Sequence, residues 1–246
     1  MTEQKIAAIV LAAGFGTRMK STRPKVLHPV AGLPMIGHLL DTLAAIDTDR
    51  VVVVTSVDGK DVADFVQPAR TAVQDPPSGT GHAALAARDA LSGFAGDVLI
   101  LYGDAPLITT DTLSALLAAR RVEDAPALAV LGFSPEGEHE YGRLVTDKAG
   151  RLERIVEHRD ANPTERAIAL CNAGPMVVDG TVLFDLLDAI GNDNEKGEYY
   201  LTDTIAHLVA DGRAVQAVSI GDPDEVVGIN TVDELAAAEA IWLRRS

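Results

Sequence analysis

Five stretches of the chain are largely apolar without the alternation of a half-solvated strand: Ile6 to Ala12, Val51 to Thr55, Val98 to Tyr102, Ala127 to Phe133 and Val215 to Ile220. Short continuous runs rich in Val, Ile and Leu predict strands covered on both faces, as in a parallel sheet. Helical patterns lie between and after them. Met35 to Ile46 repeats apolar residues at helical spacing, and Gly81 to Leu91 is alanine-rich. Thr110 to Arg121 opens with Thr110 and Asp111, residue types that cap helices. Val232 to Arg245 follows Thr231, with Glu234 three residues on, the pattern of a capping box. Strand and helix in alternation predict an α/β fold, a three-layer Rossmann-like sandwich around a mostly parallel sheet with right-handed connections.

The stretch from Ser134 to Glu198 is less regular. Its segment YGRLVTDKAGRLERIVEHRD reads as a hairpin turning at Lys148-Ala149-Gly150. The expected organisation of 1–246 is one domain with two lobes. The larger covers roughly 1–133 and 199–231, the smaller roughly 134–198, and 232–245 forms a terminal helix. At 246 residues, with 47% hydrophobic and 23% charged positions, the composition excludes a disordered or collagen-like chain. The net charge of −15 argues against a nucleic-acid partner, which requires a basic footprint. Cys171 is the single cysteine, so an intramolecular disulfide and a cysteine-cluster metal site are excluded. No apolar run has the length of a membrane span or the flanks of a signal peptide. A cytoplasmic protein with no membrane partner is expected.

The first strand runs into the loop GFGTRMKSTRPK. Glycines let the backbone approach a ligand, and free amides donate to phosphate oxygens. A dinucleotide fingerprint fails because Met19 stands where the third glycine belongs, and no Walker A string is present. Arg18, Lys20, Arg23 and Lys25 reverse the chain's charge locally, which suits a triphosphate. A tight turn followed by a solvated basic stretch is the plain alternative. Asp104 closes the run VLILY, at the carboxyl end of a strand, where open α/β sheets bind ligands. A carboxylate there is either a turn residue or an oxygen ligand for Mg²⁺. Gln74 carries a side-chain amide, donor and acceptor together, while the stretch QDPPSGTGHA by itself reads as a helix N-terminus behind a Pro-Gly turn.

Taken whole, LAAGFGTRMKSTRPKVL resembles the LAAGxGTRM…PKxL signature of sugar-nucleotide pyrophosphorylases, a family of nucleotidyltransferases. QDPPSGTGHA, YGDAPL, YGR, IVE, the Asn172-x-Gly174 segment, GEYYLTD and Gly228-Ile229-Asn230 follow in the order found in the N-acetylglucosamine-1-phosphate uridyltransferases, the N-terminal half of bacterial GlmU proteins. The resemblance spans nearly the whole chain. It implies the nucleotide-diphospho-sugar transferase fold, with 134–198 as a sugar lobe. It implies that Leu11, Ala12, Ala13, Gly14, Gly16, Lys25, Gln74, Gly79, Thr80, Tyr102 and Gly103 bind the nucleotide. Gly142, Glu157, Asn172, Tyr200 and Thr202 would bind the sugar phosphate. Asp104 and Asn230 would hold Mg²⁺, and Arg18 and Lys25 would offset charge on the reacting phosphates. His82 is given no proton-transfer role.

The implied reaction joins UTP and N-acetylglucosamine 1-phosphate into UDP-N-acetylglucosamine and pyrophosphate, a precursor step of cell-wall peptidoglycan. Two residues depart from the pattern. Phe15 stands at a loop position that is often polar, and Ala173 replaces the usual Thr or Ser, removing one hydroxyl near the sugar. No hexapeptide array follows, so no acetyltransferase β-helix and a monomeric chain are expected. The alternatives are a related nucleotidyltransferase for another base or sugar, and a catalytically silent nucleotide-binding paralogue.

Overall fold

A computed structural model of the chain describes residues 5–14, 16–122, 125–135, 137, 139–148 and 151–245. Phe15 and, of the turn expected at Lys148-Ala149-Gly150, Ala149 and Gly150 lie outside the described residues. In chain order the elements are β1 (Ile6–Leu11), the short hairpin β2 (Pro29–Val30) and β3 (Leu33–Pro34), α1 (Met35–Ala45), β4 (Arg50–Ser56), α2 (Lys60–Phe65) and β5 (Arg70–Gln74). There follow α3 (Thr80–Leu85), β6 (Asp97–Tyr102), α4 (Thr110–Arg120), β7 (Leu128–Phe133), β8 (Arg143–Thr146), β9 (Leu152–Val156) and α5 (Pro163–Arg166). The last are β10 (Cys171–Asp179), α6 (Leu183–Ala189), α7 (Asp203–Ala210), β11 (Val215–Ser219) and α8 (Val232–Arg245).

The main sheet has the order β11-β7-β10-β6-β1-β4-β5, with β8 and β9 attached through β10. All its central pairings are parallel except those of β10, which runs antiparallel to both β6 and β7. Alternation along β1 sorts its side chains between two cores. Ala7 and Ile9 pack with residues of α3, α6 and α7, whereas Ile6, Ala8 and Val10 pack with those of α1 and α4. A sheet with apolar side chains on both faces needs a helical layer on each, and the three-layer α/β class follows.

All five expected strands form, with ends shifted by one residue or less. The helix expected over Gly81 to Leu91 is shorter. It stops at Leu85, and a separate 3₁₀ turn covers Asp89–Leu91. The cap of α4 is Thr109 rather than Thr110 or Asp111; its hydroxyl accepts from Thr112 N at 3.2 Å. The capping box of α8 forms as expected: Glu234 N donates to Thr231 Oγ1 at 3.2 Å and Thr231 N to Glu234 Oε2 at 2.9 Å. Within the stretch 134–198, β10 lies in the middle of the main sheet and α6 packs on α3, while β8, β9 and α5 project from it.

The chain passes from β1 outward to β4 and β5, then returns to place β6 on the other side of β1. This reversal is a topological switch point, where the carboxyl ends of neighbouring strands diverge and leave a crevice. Leu11 and Tyr102, the last residues of β1 and β6, are direct partners at its rim.

Candidate active site

The backbone stays laced for one residue past each strand end. Ala12 N donates to Val54 O at 2.8 Å and Gly103 N to Leu11 O at 3.0 Å. Beyond that the chains part. Among the described residues, no hydrogen bond takes the amides of Ala13 and Gly14. They line a cavity of about 290 Å³ with Leu11, Lys25, Gln74 and Gly79 among its other walls. Free amides at the mouth of a parallel sheet are an anion-binding arrangement. Gly16 has φ +59°, and a Cβ there would come 2.5 Å from Lys25 Cβ. The turn favours glycine and the approach requires it, and the approach sets Lys25 beside the loop.

Lys25 joins the two ends of the chain. Its ammonium donates to Asp104 Oδ2 and, at 2.9 Å, to Asn230 Oδ1. Asp104 is placed by β6, and Asn230 by the start of α8, where its own N donates to Glu234 Oε2 at 2.6 Å. The Ile229 N to Asp104 O bond, 2.9 Å, fastens the two segments together. A carboxylate oxygen and an amide oxygen therefore converge on one cation. Both are hard donors, the set Mg²⁺ takes when substrate phosphates supply the rest of its shell. The residues present fit such a metal, with the ammonium standing at the point where the oxygens meet. No cluster of three or more His, Cys, Asp or Glu side chains suited to a metal occurs among the described residues.

A second cavity, about 320 Å³, shares the Asp104, Tyr102, Thr80 and Glu198 walls with the first. Gly142, Glu157, Asn172, Tyr200 and Thr202 all line it. Asn172 to Pro175 reach it because β10 shifts register between Asn172, which pairs with Gly132, and Met176, which takes Ala173 to Pro175 out of the ladder. The base-side and sugar-side segments are tied to each other. Gly79 has φ +101°, and a Cβ there would strike Tyr199 O at 2.6 Å. That close approach lets Tyr199 N donate to Ser78 O at 2.9 Å, Gly81 N to Tyr199 O at 2.8 Å and Leu201 N to Thr80 Oγ1 at 3.1 Å.

Glu157 is the half-buried carboxylate acceptor of the second cavity. Burial raises its carboxyl above the ordinary range, and the Thr202 hydroxyl, donating at 3.2 Å, offsets this only in part. Burial also pushes the Tyr200 phenol up to about 12. In the pH window between the ordinary and the raised Glu157 value, the folded chain holds more proton than the unfolded one, so stability falls as pH rises. Glu157→Gln is expected to flatten that slope, read as Tm across about pH 4 to 7. A slope unchanged by the substitution assigns it to other groups.

Most residues given a site role in the sequence meet at these two cavities, with four exceptions; Lys20 and Arg23 of the basic loop are exposed and also line neither. Gly16 and Gly103 line neither; the first shapes the approach to Lys25, and the second is packed against Val26 and β1. Asn230 reaches the site through Lys25, while its neighbour Gly228 lines the second cavity. Arg18, expected at the triphosphate, faces elsewhere. Met19 is buried and carries the turn Thr17–Met19, leaving Arg18 exposed beside Arg159, Lys196 and Glu157 in a third cavity of about 430 Å³. The sequence reading passed over Glu198, which both main cavities share, and Lys196, which lines the second and third. Lys196 directly precedes GEYYLTD and Glu198 is its second residue, so that motif is the one signal that pointed there.

The sequence matches the family of MobA-like NTP transferase domains over residues 8–189. It is also similar to curated proteins called bifunctional protein GlmU. The protein of Rhodospirillum rubrum is 54% identical over 237 residues, 96% of this chain and 53% of that protein. The protein of Paramagnetospirillum magneticum is 52% identical over 241 residues, and that of Novosphingobium aromaticivorans 48% over 244; these alignments cover 98% and 99% of this chain and 53% and 54% of those proteins. The chain thus spans about half the length of the curated relatives it matches.

Proposed function

Since the chain belongs to the family of MobA-like NTP transferase domains, we propose that it transfers a uridylyl group from UTP to N-acetylglucosamine 1-phosphate, releasing pyrophosphate. The observation that carries this reading is the wall shared by the two cavities. One cavity has free loop amides and the Gln74 amide, the other has the Glu157 carboxylate and Asn172, and Asp104 stands between them. A nucleotide in the first and a sugar phosphate in the second bring their phosphates together at Asp104.

The sugar-phosphate oxygen attacks the α-phosphorus of UTP. A new phosphorus–oxygen bond forms as the bond to pyrophosphate breaks. A phosphate monoester is largely dianionic at neutral pH, since its second pKa is about 6. The attacking oxygen needs no general base. The difficulty is to hold two anions in line, a matter of position and charge. The Ala13 and Gly14 amides hold the triphosphate, and Gln74 with the Gly79-Thr80 backbone holds the base. Glu157, Asn172, Tyr200 and Thr202 orient the sugar. Lys25 is the cation nearest the transfer point, and Arg18, Arg159 and Lys196 supply positive charge beyond the sugar cavity. Asp104 and Asn230 would hold Mg²⁺, which when bound neutralises phosphate charge and orients the reacting groups.

The test is pyrophosphate release by the purified chain with Mg²⁺, across the four nucleoside triphosphates, each with N-acetylglucosamine 1-phosphate, glucosamine 1-phosphate or glucose 1-phosphate. Release confined to UTP with the acetylated sugar is the expected result. Release with another pair moves the substrate and keeps the mechanism, and release with none overturns the proposal. The Ala173 side chain lines the sugar cavity, so the sugar arm tests whether a methyl group there suffices.

A further inference from the structure

Gln74 ends β5 with its side chain buried, and it lines the nucleotide cavity. Its Nε2 donates to the Gly79 carbonyl at 2.9 Å and lies 3.3 Å from His82 Nδ1. A carbonyl can only accept, so Gly79 decides which end of the amide is nitrogen. The second amide proton then meets His82 Nδ1, which accepts it in the tautomer protonated at Nε2. One bond fixes an atom but leaves the amide plane free to swing about it, whereas two fix the plane. Among the described residues nothing donates to Gln74 Oε1, and nothing takes the amides of Gly79 and Thr80, which line the same cavity. His82 itself opens on a separate recess with Ser78, Leu85 and Tyr199 and does not line the nucleotide cavity.

We propose that His82 is a positioning residue for base selection: it locks the Gln74 amide plane so that Oε1 stands as a fixed acceptor beside the free Gly79 and Thr80 amides. The inference rests on the uridylyl-transfer reading. An acceptor flanked by donors matches the uracil edge, where N3–H lies between two carbonyls. Cytosine presents a lone pair at N3, against the Gln74 oxygen. Both bases fit by size, so discrimination depends on how rigidly that oxygen is held. A buried polar group left against the wrong partner separates ligands far better than shape does. With His82 removed, the amide tilts about its single bond to Gly79. UTP then binds less well and CTP is rejected less well.

The test measures pyrophosphate release with N-acetylglucosamine 1-phosphate and either UTP or CTP, for wild type, His82→Leu and His82→Asn. Asn places an amide oxygen where Nδ1 stood, and Leu has no acceptor. His82→Leu is expected to raise the KM for UTP about tenfold with kcat near wild type, and to narrow the UTP-to-CTP ratio of kcat/KM by a similar factor. His82→Asn is expected to recover most of both. His82→Ala runs beside them, with circular dichroism on each variant, so that a misfolded Leu variant does not end the test. A UTP-to-CTP ratio unchanged in the folded Leu or Ala variant overturns the role of His82, as does a loss that Asn fails to recover. A wild-type chain without preference for UTP overturns the uridylyl-transfer reading instead.

Discussion

Asp104→Asn is expected to slow pyrophosphate release by two to three orders of magnitude, about 2.7 to 4 kcal/mol of transition-state stabilisation. The substitution keeps the shape of the side chain and one oxygen, and removes its charge. In the resting protein that charge is held by the Lys25 ammonium, beside the Asn230 amide oxygen. Asp104 and Asn230 would hold a divalent ion through these two oxygens, and Lys25 would then be free to face the phosphates. With Asn at 104 both oxygens are neutral, and a hard dication loses the partner that most repays its dehydration. The deficit is expected to shrink as Mg²⁺ is raised, and Mn²⁺ binding followed by electron paramagnetic resonance in the presence of UTP is expected to weaken in parallel. A variant that matches wild type at limiting Mg²⁺ removes Asp104 from the metal. One that binds Mn²⁺ normally yet turns over slowly assigns the carboxylate to positioning Lys25.

That this site could be read from the sequence at all follows from where its residues stand. Ala13, Gly14 and Asp104 directly follow β1 and β6, whose continuous apolar runs mark strands buried on both faces. The switch point then brings the two ends together, so strand pattern and loop chemistry give the same answer. Two strands of the main sheet escaped for physical reasons. β5 is an edge strand with Arg70, Thr71 and Val73 exposed, and its pattern is that of a surface segment. β10 contains Gly174 and Pro175, residues that argue against a central strand. They are tolerated because the ladder breaks between Asn172 and Met176, where the chain leaves the sheet to form the sugar cavity. Arg18 shows the converse limit. Its charge was plain in the sequence, but its direction depends on the burial of Met19, which no local pattern encodes. Lys196 and Glu198 sit in a polar loop without periodicity; the GEYYLTD motif marks the loop, and tertiary contact gives these two side chains their place in the site.

Asp97→Ala is expected to cost about 3 to 5 kcal/mol of folding stability, the usual result of removing one partner from a buried ion pair. Asp97 begins β6 and is fully buried, and two arginines of one helix end converge on it. Arg120 Nε donates to its Oδ1 at 2.7 Å and Arg121 Nε to its Oδ2 at 2.9 Å. Arg120 also donates to Pro126 O at 2.6 Å and lies 3.6 Å from Asp179, the residue paired with Asp97 across β6 and β10. The cluster therefore fastens the end of α4 to the junction of three strands. Alanine leaves the guanidinium of Arg120, itself buried, facing the place of the lost charge. Asp97→Asn keeps an acceptor and is expected to cost less, about 1 to 3 kcal/mol. Urea denaturation of both variants measures the difference. The site lies at the other end of β6, about 17 Å away at 3.3 to 3.4 Å per residue, so the rate per folded molecule is expected to stay at the wild-type value. A cost below about 1 kcal/mol for Asp97→Ala, the scale of an exposed pair, shows that water or a shifted Asp179 replaces the carboxylate. A rate loss in the folded variant shows instead that the cluster sets the direction in which β6 delivers Asp104.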